Sequence, residues 1–172
     1  MNCILDASAI INLCNGRVFS SILSLNGYRW YVGPIVIDEC RGSLRLGCAN
    51  TQGELTSAIN ASRVVLLSDD NIPASLFSGL LEQHHLGPGE TECILFAGVH
   101  NLGICTDDGK ARKVIEALYG KSRLIGTIGL LSNAVHDGIL AGHDADIAYA
   151  LMLSCGAFLP KLPSGYFQLN LP

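Results

Sequence analysis

Short apolar runs punctuated by polar turns organise this chain, and they follow two periodicities. Residues 2–5, 28–32, 63–67, 103–106 and 122–125 are brief runs, several rich in β-branched or aromatic side chains, and they predict five strands. Longer segments with helical spacing lie between them: 7–13, 18–25, one starting at Pro34, 55–61, 73–81, one starting near Glu90, 110–118, 127–135 and 144–153. Their ends carry ordinary stop signals, among them Asn15-Gly16, Asn26-Gly27, Gly120 and the breaker Leu86-Gly87-Pro88-Gly89. Ile35, Ile37 and Leu44 are spread among polar residues on the helix opened by Pro34, and Ser68, Asp69 and Asp70 predict a polar turn. Strands alternating with helices predict an α/β domain around a mostly parallel sheet. The segment from Pro160 to Pro172 holds three prolines and predicts an extended tail.

Composition narrows the class. The chain has 172 residues, 49% hydrophobic and 15% charged, which suits one ordered domain and excludes a mainly disordered one. Mean hydropathy is +0.36, yet the apolar stretch around residues 147–159 is interrupted by Ser154 and Gly156 and falls short of a membrane span. The opening MNCILDASAI has an acid inside its apolar run and no basic start, unlike a signal peptide. Seven cysteines without a CxxC spacing predict reduced, mostly buried thiols and a cytoplasmic protein.

Candidate chemistry concentrates in acids. In an open parallel sheet, ligands bind beyond the carboxyl ends of the strands. Asp6 follows the first strand there, and Asp107-Asp108 follow the fourth. Glu90 sits just after the Gly-Pro-Gly loop, and Glu39 on the helix after the second strand. Two carboxylates about 4.5 Å apart repel by roughly 3–4 kcal/mol at an effective dielectric near 20. Converging acids therefore need protons or cations, and all-oxygen ligands select Mg²⁺ or Mn²⁺. Each acid also has a local alternative. Asp6, Asp107 and Asp108 stand where helix caps stand, Glu90 gains from a helix dipole, and Asp38 competes with Glu39 for the inward position. His136-Asp137 and His143-Asp144 recapitulate a metal-phosphohydrolase pairing, but loop and cap roles explain them better. The Gly-Pro-Gly loop lacks the Gly-Lys-Ser/Thr ending of a phosphate cradle.

Taken in order, LDASAI with Asp6, IVIDEC with Glu39, GPGETECILFA with Glu90 and ICTDDGKAR with Asp107-Asp108 resemble the PIN domain, a fold of metal-dependent nucleases. The segment LIGTIGLLSNAVHDGIL is similar to one uncharacterised PIN-like subfamily. The resemblance implies a three-layer α/β/α sandwich over residues 1–155, with 156–172 as a C-terminal extension. It implies Asp6, Glu39, Glu90 and Asp108 as the catalytic acids, Asp107 as a further metal ligand, and Ser8 and Thr106 as supporting hydroxyls. Glu90 stands where many relatives have Asp, and Glu92 offers a competing carboxylate. The implied activity is cleavage of single-stranded RNA by a water activated on Mg²⁺ or Mn²⁺. Such domains often act as the toxin of a toxin–antitoxin pair and form homodimers. A catalytically silent nucleic-acid-binding or protein-interaction module is the alternative.

Net charge bears on the substrate. The chain carries −4, but without those five acids the remaining ten face eleven Lys and Arg, leaving +1. Lys110, Arg112 and Lys113 follow Asp108 directly and are candidate phosphate contacts.

Overall fold

The computed structural model describes residues 1–41, 47–68 and 72–169. Five strands form one all-parallel sheet in the order β3-β2-β1-β4-β5: β1 (Asn2–Leu5), β2 (Arg29–Val32), β3 (Val64–Leu66), β4 (Gly103–Cys105) and β5 (Leu124–Ile125). The helices described are α1 (Ala7–Asn15), α2 (Phe19–Ile22), α3 (Pro34–Arg41), α4 (Thr51–Asn60), α5 (Ala74–His84), α6 (Pro88–His100), α7 (Gly109–Tyr119), α8 (Thr127–His136), α9 (Gly142–Ser154) and α10 (Tyr166–Leu169). They cover the sheet to give the expected α/β/α sandwich. None is long and apolar enough to cross a membrane.

Strand β1 is central, and Cys3, Ile4 and Leu5 are fully buried. Burial on both faces is why its sequence is a continuous apolar run without alternation. The chain winds outward from β1 through β2 to β3, then returns to the other side of β1 for β4 and β5. The reversal lies between β1 and β4, where such sheets open a crevice at their carboxyl ends. Pairing persists past the strands there. Asp6 N–H donates to Cys105 O at 2.9 Å, and Thr106 N–H donates to Ile125 O at 3.1 Å. The first residues beyond the strands are therefore fixed by the ladder itself.

Several expectations need correction. Helix α4 starts at Thr51, four residues before the predicted onset, because Asn50 caps it by accepting from Gly53 N–H at 3.1 Å. The fifth strand is only Leu124–Ile125, and Lys121–Arg123 before it form a 3-10 turn. The tail is not extended throughout. Its Tyr166–Leu169 helix docks on α9, where Asp146 accepts from Phe167 N–H and Gln168 Nε2. The cysteines are not all reduced: Cys48 and Cys155 form a disulfide with Cα atoms 5.9 Å apart. Cys3, Cys14, Cys40, Cys93 and Cys105 are free and buried, and burial pushes the Cys3 and Cys40 thiols up to about 12. Leu44 and the Asp69-Asp70 turn lie outside the described residues.

Candidate active site

Asp6 anchors the carboxyl edge of the sheet. It is 2% exposed, and its Oδ2 accepts from Ser8 Oγ at 2.6 Å and Thr106 Oγ1 at 2.8 Å. Those hydroxyls are themselves oriented. Asp107 N–H donates to Ser8 Oγ at 3.1 Å, and Asp108 N–H donates to Thr106 Oγ1 at 3.1 Å. With a lone pair of each hydroxyl engaged by a backbone amide, both protons are turned onto Asp6. Burial pushes the Asp6 carboxyl above its ordinary range, and the two hydroxyl bonds pull against that shift.

The two neighbouring aspartates have separate tasks. Asp107 Oδ1 accepts from Thr127 N–H at 2.8 Å, while Oδ2 accepts from the Thr127 hydroxyl and from Asn12 Nδ2 at 2.8 Å. It thus clamps the start of α8 and the middle of α1 to the end of β4. Asp108 caps α7, with Oδ1 accepting from Lys110 and Ala111 N–H, both at 2.8 Å. The local alternative of helix capping is therefore true of Asp108.

Helices α3 and α6 exchange carboxylates. Glu39, on α3, accepts from Gly89 N–H in the first turn of α6 at 2.9 Å. Glu92, on α6 and 1% exposed, accepts from Ile35 and Val36 N–H in the first turn of α3 at 3.0 and 3.1 Å. A helix start has unpaired N–H groups and partial positive charge, so each acid stabilises the other's helix. Both exchanges need glycine. A Cβ on Gly89 would strike the Glu39 carboxylate, and one on Gly33 would strike that of Glu92. Asp38 faces away, pairing with Arg41 at 2.7 Å on the surface.

Glu90 is half-buried and accepts from Gly87 N–H at 2.8 Å. Burial raises its carboxyl, and the charges of Asp108, Asp6 and Glu39 raise it further. Glu39 is exposed as a residue, but its carboxylate end is tucked against Gly89; this partial burial raises it, as does the charge of Asp6. Glu90 therefore senses the charges of Asp108, Asp6 and Glu39, and Glu39 senses that of Asp6. Ser8, Asn12, Glu90, Asp107 and Asp108 line a groove of about 250 Å³ together with Ile11, Ala157 and Phe158.

Among the described residues, no three His, Cys, Asp or Glu side chains close into a ready-made metal cluster. The physical reason is in the hydrogen bonds: like charges stay apart, and each carboxylate outside Asp6 rests on backbone amides. The donor set nevertheless fits a hard divalent cation. It is all oxygen, three of its carboxyls are raised by burial, and no Lys or Arg ion-pairs with them among the described residues.

The basic residues expected at phosphates are partly engaged. Arg112 Nη1 donates to Thr106 O at 2.9 Å, bracing the strand end, and Lys110 Nζ donates to His85 O at 2.7 Å. Lys113 is exposed on α7. Sequence reasoning missed Asn12, Thr127 and Gly89. Only Gly89 carried a signal, through the breaker that contains it.

A parallel sheet with carboxylates gathered at its switch point defines a class of α/β proteins whose functional site lies at that edge. The model of a PIN-domain family matches residues 2–161, and the chain belongs to that family, which is of nuclease type. No curated protein and no solved structure matches the chain.

Proposed function

We propose that the protein is a metal-dependent endoribonuclease that cleaves single-stranded RNA. The observation that carries this reading is geometric: Ser8, Glu90, Asp107 and Asp108 line one groove at the carboxyl edge of the sheet, and the buried Asp6 carboxylate is hydrogen-bonded to Ser8 in its wall. The carboxyls of Asp6, Glu39 and Glu90 are raised chiefly by burial, and the charge of Asp6 adds to the rise at Glu39 and Glu90; shifted acids gathered at one edge favour a functional site. Asp6 and Asp108 would hold the principal Mg²⁺ or Mn²⁺, with Glu39, Glu90 and Asp107 completing the site. Such a cation polarises a phosphodiester and lowers the pKa of an attacking water.

The remaining work falls to the chain's own groups. Ser8 and Thr106 hold the Asp6 carboxylate in one orientation, so it need not reorganise when substrate arrives. Arg112 keeps the Thr106–Asp108 turn in place from behind. Glu90 shapes the groove wall, and Glu39, held on the first turn of α6, would help orient water. Lys110, Arg112 and Lys113, on the helix that Asp108 caps, supply positive charge for flanking phosphates. The toxin role in a toxin–antitoxin pair and the homodimer remain part of this proposal by family likeness, and the cytoplasmic setting rests on the five free, buried thiols, the Cys48–Cys155 disulfide weighing against it.

The test is cleavage of a mixed single-stranded RNA pool at low salt, with Mn²⁺, Mg²⁺ or EDTA, by wild type and Asp108→Asn. Cleavage by wild type with metal alone is the expected result. Full activity of Asp108→Asn and Asp6→Asn, or none by wild type in any metal, would overturn it; metal binding without cleavage would favour the silent binding module.

A further inference from the structure

The candidate groove has an apolar side that the acids do not explain. Phe158 lines it beside Glu90, Asp107 and Asp108, yet the residue is 98% exposed, the most exposed large apolar side chain described. A single exposed phenylalanine is unremarkable on a loose loop. This one is held. Gly156, with φ +88°, turns the chain out of α9, and Ala157 N–H donates back to Met152 O at 3.0 Å. Two residues beyond Phe158, Pro160 O accepts from Tyr149 Oη at 2.7 Å, and Leu162 N–H donates to the same hydroxyl at 3.2 Å. Cys155, just before the segment, is disulfide-bonded to Cys48.

Along the segment between these ties burial alternates: Ala157 and Leu159 are partly buried, and Phe158 between them is exposed. Ala157 and Leu159 pack on the core, and that alternation turns Phe158 outward over the groove. Its exposure is thus imposed by a pinned strap and not by a failure to find a core position.

Resting on the nuclease reading above, we propose that Phe158 is a base-stacking platform that positions single-stranded RNA in the groove. The chemistry divides the groove between phosphate and base. The carboxylate side, charged with a cation, takes the phosphodiester, while the phenyl ring takes the face of an adjoining unpaired base. Aromatic stacking of this kind tolerates any base, because every base has a π-face, and it excludes a paired base whose faces are covered. The strap therefore makes the site select single strands.

The test compares wild type, Phe158→Ala and Phe158→Trp with three readouts. In Mn²⁺-dependent cleavage, Phe158→Ala should raise KM for single-stranded RNA by roughly 5- to 100-fold, the range that losing one stacked base implies, with kcat changed much less. Phe158→Trp should keep KM close to wild type. The second readout is fluorescence of the indole introduced by Phe158→Trp, with Mn²⁺ present and an RNA whose phosphodiesters are replaced by uncleavable phosphonate linkages. Trp30 is 1% exposed and supplies a constant background. Single-stranded RNA should quench the new indole, and an abasic strand of the same length should not. The third is solution mass. Unchanged KM in Phe158→Ala while wild type cleaves RNA would overturn the stacking proposal alone. So would equal quenching by RNA and the abasic strand, or a Phe158→Ala dimer falling to monomers with no quenching in Phe158→Trp. Absence of both RNA cleavage and RNA binding by wild type would overturn the nuclease reading and the stacking proposal together.

Discussion

Replacing Asp6 with Asn separates charge from shape at the centre of the site. The carboxylate is buried, and burial pushes its pKa above the ordinary range. The native chain therefore holds a proton on Asp6 more readily than the unfolded chain does. It follows that the charged form subtracts from stability at pH above the folded pKa, and that this loss fades as pH falls through it. Asparagine keeps the outline, and its Oδ1 can accept from Ser8 and Thr106 as Asp6 Oδ2 does. Burying an ion has an effective penalty of several kcal/mol, and two oriented hydroxyls offset part of it, so the net relief in Asp6→Asn is about 1–2 kcal/mol. In a chain of this size that is a rise in Tm of roughly 2–8 °C in EDTA at pH 7.5. The rise should shrink as pH falls toward the ordinary carboxylate range. Asp6→Ala should instead lower Tm, because it leaves both hydroxyls without their acceptor. Saturating Mn²⁺ should reverse the ranking. At a concentration 100 times Kd, wild type gains about 2.7 kcal/mol, while Asp6→Asn gains little. Thermal melts of the three proteins in EDTA and across a Mn²⁺ titration decide the matter. A lower Tm for Asp6→Asn than for wild type in EDTA at pH 7.5 would refute the claim that Asp6 is a destabilising charge. A wild type indifferent to Mn²⁺ would refute the claim that a cation compensates it.

Three further outcomes follow from the same hydrogen bonds. Glu90→Gln should abolish cleavage with little change in Tm, whereas Glu92→Gln should keep cleavage but lower Tm by roughly 2–8 °C, since a buried charge on the start of α3 is worth about 1–2 kcal/mol; cleavage assays alongside melts show whether the roles are interchanged. Thr127→Val removes the hydroxyl that Asp107 holds and should destabilise by about 1–2 kcal/mol, read as a lower urea midpoint at unchanged m-value. Reducing the Cys48–Cys155 bond, which closes a span of 107 residues, should lower stability by about 2–5 kcal/mol; equal urea midpoints with and without dithiothreitol would count against the bond.

Much of this architecture was legible because parallel α/β folds write their sites at strand ends. The run ILD reads as a buried strand delivering an acid, and ICTDD as a second one, without knowledge of their neighbours. The distribution of work among the acids was not legible. Asp107 and Asp108 are adjacent in sequence, yet one reaches Asn12 and Thr127 while the other caps its own helix. The partners of Asp107 are 95 and 20 residues away, beyond any local pattern. Glu92 resembled a competitor of Glu90 until the fold placed it on Ile35 and Val36. The disulfide was hidden for the same reason. Cysteine spacing suggested reduced thiols, and only the return of α9 beside the residue 47–50 loop brings Cys48 to Cys155.

The sequence also framed capping and metal binding as rivals, and the structure removes that opposition. Strands of a parallel sheet end where the next helices begin, so the carboxyl edge of the sheet is also a gathering of helix N-termini. Gly89 on α6 and Lys110 and Ala111 on α7 present amides to acids over the groove, and Thr127 on α8 presents one to Asp107. Those amides carry partial positive charge that holds carboxylates at short range to one another without a cation. Glu39 and Asp108 can thus be caps in the folded apoprotein and ligands once a divalent ion offers a stronger charge. The exchange has a measurable consequence. Cation binding should loosen the amide protons of Gly89, Lys110 and Ala111 as their acceptors turn toward the metal, while the amides of Ile35 and Val36, held by Glu92, stay as they were. Residue-resolved hydrogen exchange with and without Mn²⁺ distinguishes the two sets, and unchanged protection at Gly89 and Lys110 in a chain that binds Mn²⁺ would show that Glu39 and Asp108 remain caps.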